Sequence, residues 1–337
     1  MRYPEFLKKN GCIGFVAPSF GCNIEPYKTA FGHALDKFEK MGYRTELGPN
    51  CYEGCGIGIS NTPEKCGQEL MEILKDIKDI KFITIGEVLL RLSPPNFEKI
   101  RMAKPKWYLG YSDNTNMTFL LTTLCDVASV YGPCAAAFGM EPWHQAIQDA
   151  FDVLTGEKLT IKGYDLYEKE GLKDEENPLV PYNVTEPCIR KKVPDTDIKM
   201  EGRLVGGCLD VLTLLLGTKY DKVQEFTERY KEDGIIWFIE ACDLNVMGIR
   251  RALWQMEQAG WFRHVRGFLI GRPYCNGEEF LGLDQYEAVT GILGKYNVPI
   301  LMDLDIGHIP PAMPLICGSY AKVTSVGNDV EVEMELN

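Results

Sequence analysis

Short apolar runs alternate with longer segments of helical period along most of this 337-residue chain, and no other feature limits its fold as much. Residues 12–17 (CIGFVA), 81–86 (KFITIG) and 107–111 (WYLGY) read as buried strands. Between them, 27–41 and 64–79 space their apolar residues three and four apart, the period of one buried helix face. Residues 114–125 and 143–155 are two further helix candidates. Strands and helices in turn predict a mostly parallel sheet covered on both faces, so the first half reads as a doubly wound α/β unit.

The pattern fails between 156 and 201, which is polar and holds Pro178, Pro181, Pro187, Pro194 and the charged run EKEGLKDEE at 168–176. Central strands tolerate proline poorly, so this stretch is expected to be an inter-domain connection with exposed β-like pieces and a solvated charged surface. After Gly206-Gly207 come a helix through Leu216, a strand at 235–241, a helix at 246–260 and a strand at 265–271. A helix at 285–296, a strand at 300–306 and an alternating tail at 321–336, like edge strands, complete the chain. The expected division is a first domain at 1–156, a connection at 157–200 and a second domain at 201–337.

Charge narrows the partners. Acidic residues number 48 against 36 basic, a net charge of −12, and the longest basic run is only Arg190-Lys191-Lys192. That balance argues against a nucleic-acid polymer or an anionic membrane as partner. No run approaches the ~18 consecutive apolar residues of a membrane span. The start, MRYPEFLKKNGCIGF, lacks an apolar run ahead of a small-residue cleavage site, so a cytoplasmic location is expected. The twelve cysteines then read as reduced thiols; Cys12, Cys125, Cys208, Cys242 and Cys317 lie in apolar runs, where a thiol packs as a small hydrophobe. Cys12, Cys22, Cys51, Cys55 and Cys66 form the densest stretch, but with no CxxC pair and only His33 nearby they do not read as zinc ligands.

Three places carry candidate chemistry. In Gly110-Tyr111-Ser112-Asp113-Asn114 a strand meets a helix, and a serine there can project its hydroxyl from a tight turn beside helix amides. Asn114 stands where the second glycine of a G-x-S-x-G elbow would be, and a plain helix N-cap is the competing reading. Glu240 ends an apolar strand, either as a satisfied structural acid or as the orienter of a histidine. His308 follows the strand at 300–306 in a glycine- and proline-flanked loop, whereas His33, His144 and His264 sit in helical or linker contexts. A lone loop histidine is open to a structural reading as well. All three candidates fall at C-terminal strand ends, where open α/β sheets place their ligand crevices. Serine, carboxylate and histidine are also the parts of a nucleophile–orienter–base relay.

GYSDNT at 110–115 resembles the nucleophile motif of the serine LD-carboxypeptidase family, which includes muropeptide LD-carboxypeptidases and microcin C self-immunity peptidases. Further signatures stand in the family's order: VAPS at 16–19, VYGP at 130–133, EGRLVGGCLDVLTLLLGTKY at 201–220, IIWFIEA at 235–241, FLIGRP at 268–273 and DIGHIPPAMPLICG at 305–318. The resemblance covers about residues 11–325. It implies a Rossmann-like N-terminal domain with a parallel sheet supplying Ser112, and a smaller C-terminal α/β domain, partly barrel-like, supplying Glu240 and His308. It implies a Ser112–His308–Glu240 triad, oxyanion donors at the backbone amides of Asp113 and of the Gly86 loop, and hydrolysis of a terminal amide without metal or cofactor. The substrate it implies is a small peptide or a peptidyl-nucleotide, and relatives suggest a homodimer. The long connection and the LIGRP context look more like the microcin-immunity branch than the shorter enzymes of peptidoglycan recycling. Aromatics of the connection, Tyr164, Tyr167 and Tyr182, are candidates for stacking on a base, or for packing.

The chain departs from the family at three points. The loop Thr84-Ile85-Gly86-Glu87-Val88 has one glycine where relatives usually have two, ACDLNVMG after Glu240 lacks an acidic cluster, and Cys208 replaces a usual asparagine. Two other classes compete: an α/β-hydrolase esterase, with the same serine–acid–histidine order, and a non-catalytic two-domain receptor for a small ligand.

Overall fold

The computed structural model describes residues 1–55, 60–76, 80–83 and 94–337. The first half runs β1 (Cys12–Phe15), α1 (Tyr27–Lys40), β2 (Arg44–Leu47), α2 (Pro63–Asp76), β3 (Ile80–Ile83), α3 (Pro94–Met102), β4 (Tyr108–Gly110), α4 (Thr115–Thr123), β5 (Ser129–Tyr131) and α5 (Gln145–Thr155). Strands β2-β1-β3-β4-β5 lie side by side in that order, all parallel. The order reverses between β1 and β3, so connections leave these strands in opposite directions and open a crevice at their C-terminal ends.

The second half adds β6 (Thr160–Lys162), β7 (Leu166–Glu168), β8 (Val184–Pro187), β9 (Lys191–Val193), β10 (Ile198–Cys208), α6 (Leu209–Leu215), α7 (Val223–Arg229), β11 (Ile235–Glu240), α8 (Val246–Gln258) and β12 (Val265–Gly271). Next come β13 (Glu279–Phe280), β14 (Leu283–Asp284), α9 (Gln285–Leu293), β15 (Ile300–Leu304), β16 (Leu315–Cys317), β17 (Tyr320–Val326) and β18 (Asp329–Glu335). Its eight-stranded sheet has the order β6-β18-β17-β10-β11-β12-β15-β9. The four central strands β10, β11, β12 and β15 are parallel, and antiparallel strands flank them on both sides.

The two halves are stitched together. Segment 157–200 lends β6 and β9 to the edges of the large sheet and folds β7 with β8 into a hairpin. Strand β16 crosses to the first sheet, pairing Leu315 with Tyr131. Helix α4 lies between the halves and is buried on all sides, including Thr115, Thr118, Thr122 and Thr123. Its hydroxyls avoid a desolvation cost by bonding within the fold: Thr118 donates to Asn114 O, Thr122 to Val127 O and Thr123 to Phe119 O. Phe119 on this helix packs 5.4 Å from the ring of Trp261 and 6.1 Å from that of Trp237. No helix among the described residues is long and apolar enough to cross a membrane. Cys12, Cys125, Cys208 and Cys317 are buried thiols outside any disulfide, while Cys242 is only half-buried.

Candidate active site

Strand β4 delivers Ser112 through a strained turn. Tyr111 is extended, Ser112 takes φ +64°, and Ser112–Asn114 form a short 3-10 turn that leads into α4. A non-glycine residue in that region costs roughly 1–3 kcal/mol and persists only where its neighbours dictate it. Asn114 supplies much of that constraint, because its Nδ2 donates to Tyr111 O at 2.9 Å and its Oδ1 accepts from Tyr108 at 2.8 Å. It folds back over Gly110, where a Cβ would lie 2.3 Å from Asn114 Cγ. The asparagine in the second-glycine position therefore braces the elbow. Neither the 3-10 turn nor α4 has a side-chain N-cap, so the N-cap reading of Ser112 is not what the structure shows.

Strands β11 and β15 bring the other two candidates to the same point. His308 Nε2 lies 2.7 Å from Ser112 Oγ, and His308 Nδ1 lies 2.9 Å from Glu240 Oε2. Glu240 ends β11 and is 1 % exposed. Gly307 allows the close approach: it has φ +105°, and a Cβ there would lie 2.5 Å from Glu240 Oε2. The loop before it is anchored by fully buried Asp305, which accepts from Arg190 Nη2 at 2.6 Å and from the Tyr164 amide at 2.9 Å.

Sequence reasoning missed a fourth member. The Tyr131 hydroxyl donates to Glu240 Oε1 at 2.5 Å and accepts from the Ser112 amide at 3.2 Å. Burial, then the adjacent Glu240 carboxylate, hold its phenol proton far above the ordinary range. The only signal for it was its place inside the VYGP motif. Burial by itself would lower the proton affinity of His308, but hydrogen bonds and charge from Cys242 and Glu240 outweigh it and raise the pKa to about 10.

Ser19, in the loop after β1, donates to Asp113 Oδ2 at 3.0 Å and ties that loop to the elbow. The Asp113 amide stands in the turn directly after Ser112. Gly86 lies outside the described residues. The rings of Tyr111 and Tyr274 lie 4.9 and 6.0 Å from His308, and Tyr274 is 58 % exposed at the rim. The connection's aromatics are engaged elsewhere: Tyr164 donates to Asp149 and packs with Tyr182 around His144, and Tyr167 lies under Arg272. Packing, not a free stacking face, is their observed role. Among the described residues, Cys208, Glu240 and His308 form the one group of three or more side chains with metal-ligand chemistry, their ligand atoms all within 4.8 Å of each other.

Family models match both halves: the LD-carboxypeptidase N-terminal domain over residues 13–132 and the LD-carboxypeptidase C-terminal domain over residues 201–323. The microcin C7 self-immunity protein MccF of Escherichia coli is 27% identical over 320 residues, 91% of this chain and 88% of that one. The "probable murein peptide carboxypeptidase" of Bacillus subtilis is 26% identical over 343 residues, 98% and 94% of the two chains. An MccF-like protein from Bacillus anthracis superposes with a TM-score of 0.81 at 21% identity, covering all of both chains. MccF in complex with aspartyl sulfamoyl adenosine superposes at 0.77, with 21% identity, covering 100% of this chain and 99% of that one.

Proposed function

The chain belongs to the LD-carboxypeptidase family, and on that premise we propose that it is a serine peptidase that hydrolyses the terminal amide of a small peptide or peptide conjugate. The observation that carries the reading is the continuous relay Ser112–His308–Glu240, with contacts of 2.7 and 2.9 Å, at the strand ends of both sheets. His308 takes the Ser112 proton as Oγ attacks the scissile carbonyl, then passes it to the leaving amine. Glu240 fixes the tautomer with the proton on Nδ1 and stabilises the imidazolium, while Tyr131 holds Glu240 in place. The Asp113 amide faces the developing oxyanion, with Gly86 as the second donor; one such donor is worth about 100- to 1000-fold in rate. Water then hydrolyses the acyl-enzyme, and His308 serves as base a second time.

For the substrate we favour an aminoacyl or peptidyl nucleotide. The matched MccF structure holds aspartyl sulfamoyl adenosine, and here the exposed ring of Tyr274 beside His308 offers a face on which a base can stack. Hydrolysis of an aminoacyl sulfamoyl adenylate, an L,D-muropeptide tetrapeptide and a simple ester, by the wild type and by Ser112→Ala, tests the reading. Serine-dependent cleavage of the nucleotide conjugate supports it. Release of only the terminal D-residue assigns the enzyme to peptidoglycan recycling, and cleavage of only the ester makes it an esterase. Lack of any Ser112-dependent reaction, with no labelling by a fluorophosphonate, leaves a binding protein. We also propose that it works in the cytoplasm as a homodimer; a monomer mass by light scattering at micromolar concentration overturns the dimer.

A further inference from the structure

Three thiols surround the relay, and only some of them have a structural task. Cys134 accepts a hydrogen bond from the Asn114 side chain. Cys208 ends β10, its amide donating to Thr115 Oγ1, while its buried thiol donates to Asp210 Oδ2 and lies near Glu240. Cys242 is half-buried and close enough to His308 to raise its proton affinity. A thiol, a carboxylate and an imidazole with ligand atoms all within 4.8 Å make a donor set of the kind that borderline-soft cations select.

We propose that Cys208, Glu240 and His308 form an inhibitory site for a thiophilic divalent cation of the zinc type, which silences the relay by occupying its base. The inference rests on the proposed role of His308. Charge favours it: thiolate and carboxylate supply two negative charges and a neutral imidazole none, so a divalent ion is balanced without a buried excess charge. Burial and the neighbouring carboxylates keep the Cys208 thiol protonated, and His308 carries its second ring proton below about pH 10, so coordination expels one proton from each to solvent with no change of oxidation state. Tetrahedral zinc sets its ligand atoms about 3.5 Å apart, so ligand atoms now within 4.8 Å of each other need to close by no more than about 1.3 Å. Binding through Nδ1 leaves the remaining ring proton on Nε2, facing Ser112; binding through Nε2 displaces Ser112. Either way His308 has no lone pair for the serine proton.

The test uses metal-free full-length protein and two readouts. Cadmium is titrated while the thiolate-to-metal charge-transfer absorbance is followed, and zinc is titrated against fluorophosphonate labelling of Ser112. The wild type is expected to show one more cadmium-dependent absorbance equivalent than Cys208→Asn, and labelling that zinc suppresses and a chelator restores. Cys208→Asn is expected to keep its labelling in metal-free buffer and to need at least about tenfold more zinc for suppression. Cys208→Ser serves if the asparagine variant does not fold. Equal zinc sensitivity of wild type and variant overturns the proposal, as does suppression abolished by Cys242→Ser but not by Cys208→Asn. If the wild type is not labelled even without metal, the peptidase reading fails, and the absorbance difference alone still decides whether the site exists.

Discussion

The Tyr131 hydroxyl donates a 2.5 Å hydrogen bond to Glu240 Oε1, leaving Oε2 to His308, so each oxygen of the buried carboxylate has its own partner. The same hydroxyl receives the Ser112 amide, which means that one side chain of the first sheet locates both the backbone of the proposed nucleophile and the Glu240 carboxylate from the second sheet. Tyr131→Phe keeps the ring and removes both bonds. It is expected to cost about 1–3 kcal/mol of stability, because a buried acceptor loses a donor, and to lower kcat more than KM. Chemical denaturation and steady-state kinetics on the same preparation check both. Unchanged kcat in a folded variant removes Tyr131 from the site.

Glu240→Gln has a kinetic and a thermodynamic signature. The neutral amide accepts from Nδ1–H less strongly, offers a competing donor and cannot balance an imidazolium, so turnover is expected to fall by about four orders of magnitude. The proposed mechanism needs His308 neutral in the free protein. Its pKa is raised to about 10, burial lowering it and Cys242 and Glu240 together more than restoring it, so kcat/KM should climb with pH well into the alkaline range. In the variant that limb moves to lower pH. Folding favours the protonated ring, so its stabilising contribution is complete below the unfolded value near 6.5 and disappears as pH rises through about 10. Denaturation of wild type and variant from pH 6 to 10 should therefore show a stability gap that narrows with increasing pH.

The sequence reveals most of the buried elements. The apolar runs of β1, β4, β11, β12 and β15 and the period of α1 and α8 are visible because those residues face a core on every side or along one stripe. Strand β2 (RTEL) is hidden because it is an exposed edge with polar residues. Helix α3 is hidden because it opens with two prolines, which the first turn of a helix tolerates although proline otherwise signals a break. At the site, Ser112, Glu240 and His308 are legible from their places at strand ends. Tyr131 is not, since a tyrosine in a short strand looks the same whether its hydroxyl meets a carboxylate or solvent. Nor does Asn114 advertise that it can brace a turn where glycine is usual. Crossing strands such as β16 depend on contacts about 180 residues apart, for which local pattern carries no signal.

Phe119 is where the shared core is most exposed to a single substitution. It sits on a helix enclosed by both halves, against Trp237 and Trp261 of the second. Phe119→Ala is expected to cost about 3–5 kcal/mol through lost burial and the cavity left behind. Because the core is common to both halves, calorimetry should show one transition moved to lower temperature. Two separated transitions would mean that the halves unfold independently.

Arg190 ties the connection to the loop that carries His308. Its guanidinium donates through Nη1 to Asn328 O and through Nη2 to Tyr164 O and Asp305 Oδ2, and Gly163 leaves room for it, since a Cβ there would lie 2.5 Å from Nη2. Arg272 Nη2 is 3.6 Å from the other Asp305 oxygen and cannot replace the lost fork. Arg190→Met preserves much of the side chain's bulk but leaves fully buried Asp305 without its 2.6 Å partner, which is expected to cost about 3–5 kcal/mol. Asp305 lies three residues before His308, so the loosened loop should also lower kcat at temperatures where the variant is fully folded. Arg190→Lys restores charge without the planar fork and should recover part of the stability and less of the rate. A variant that loses stability but keeps full kcat would show that the His308 loop is positioned by Gly307 and Glu240 alone.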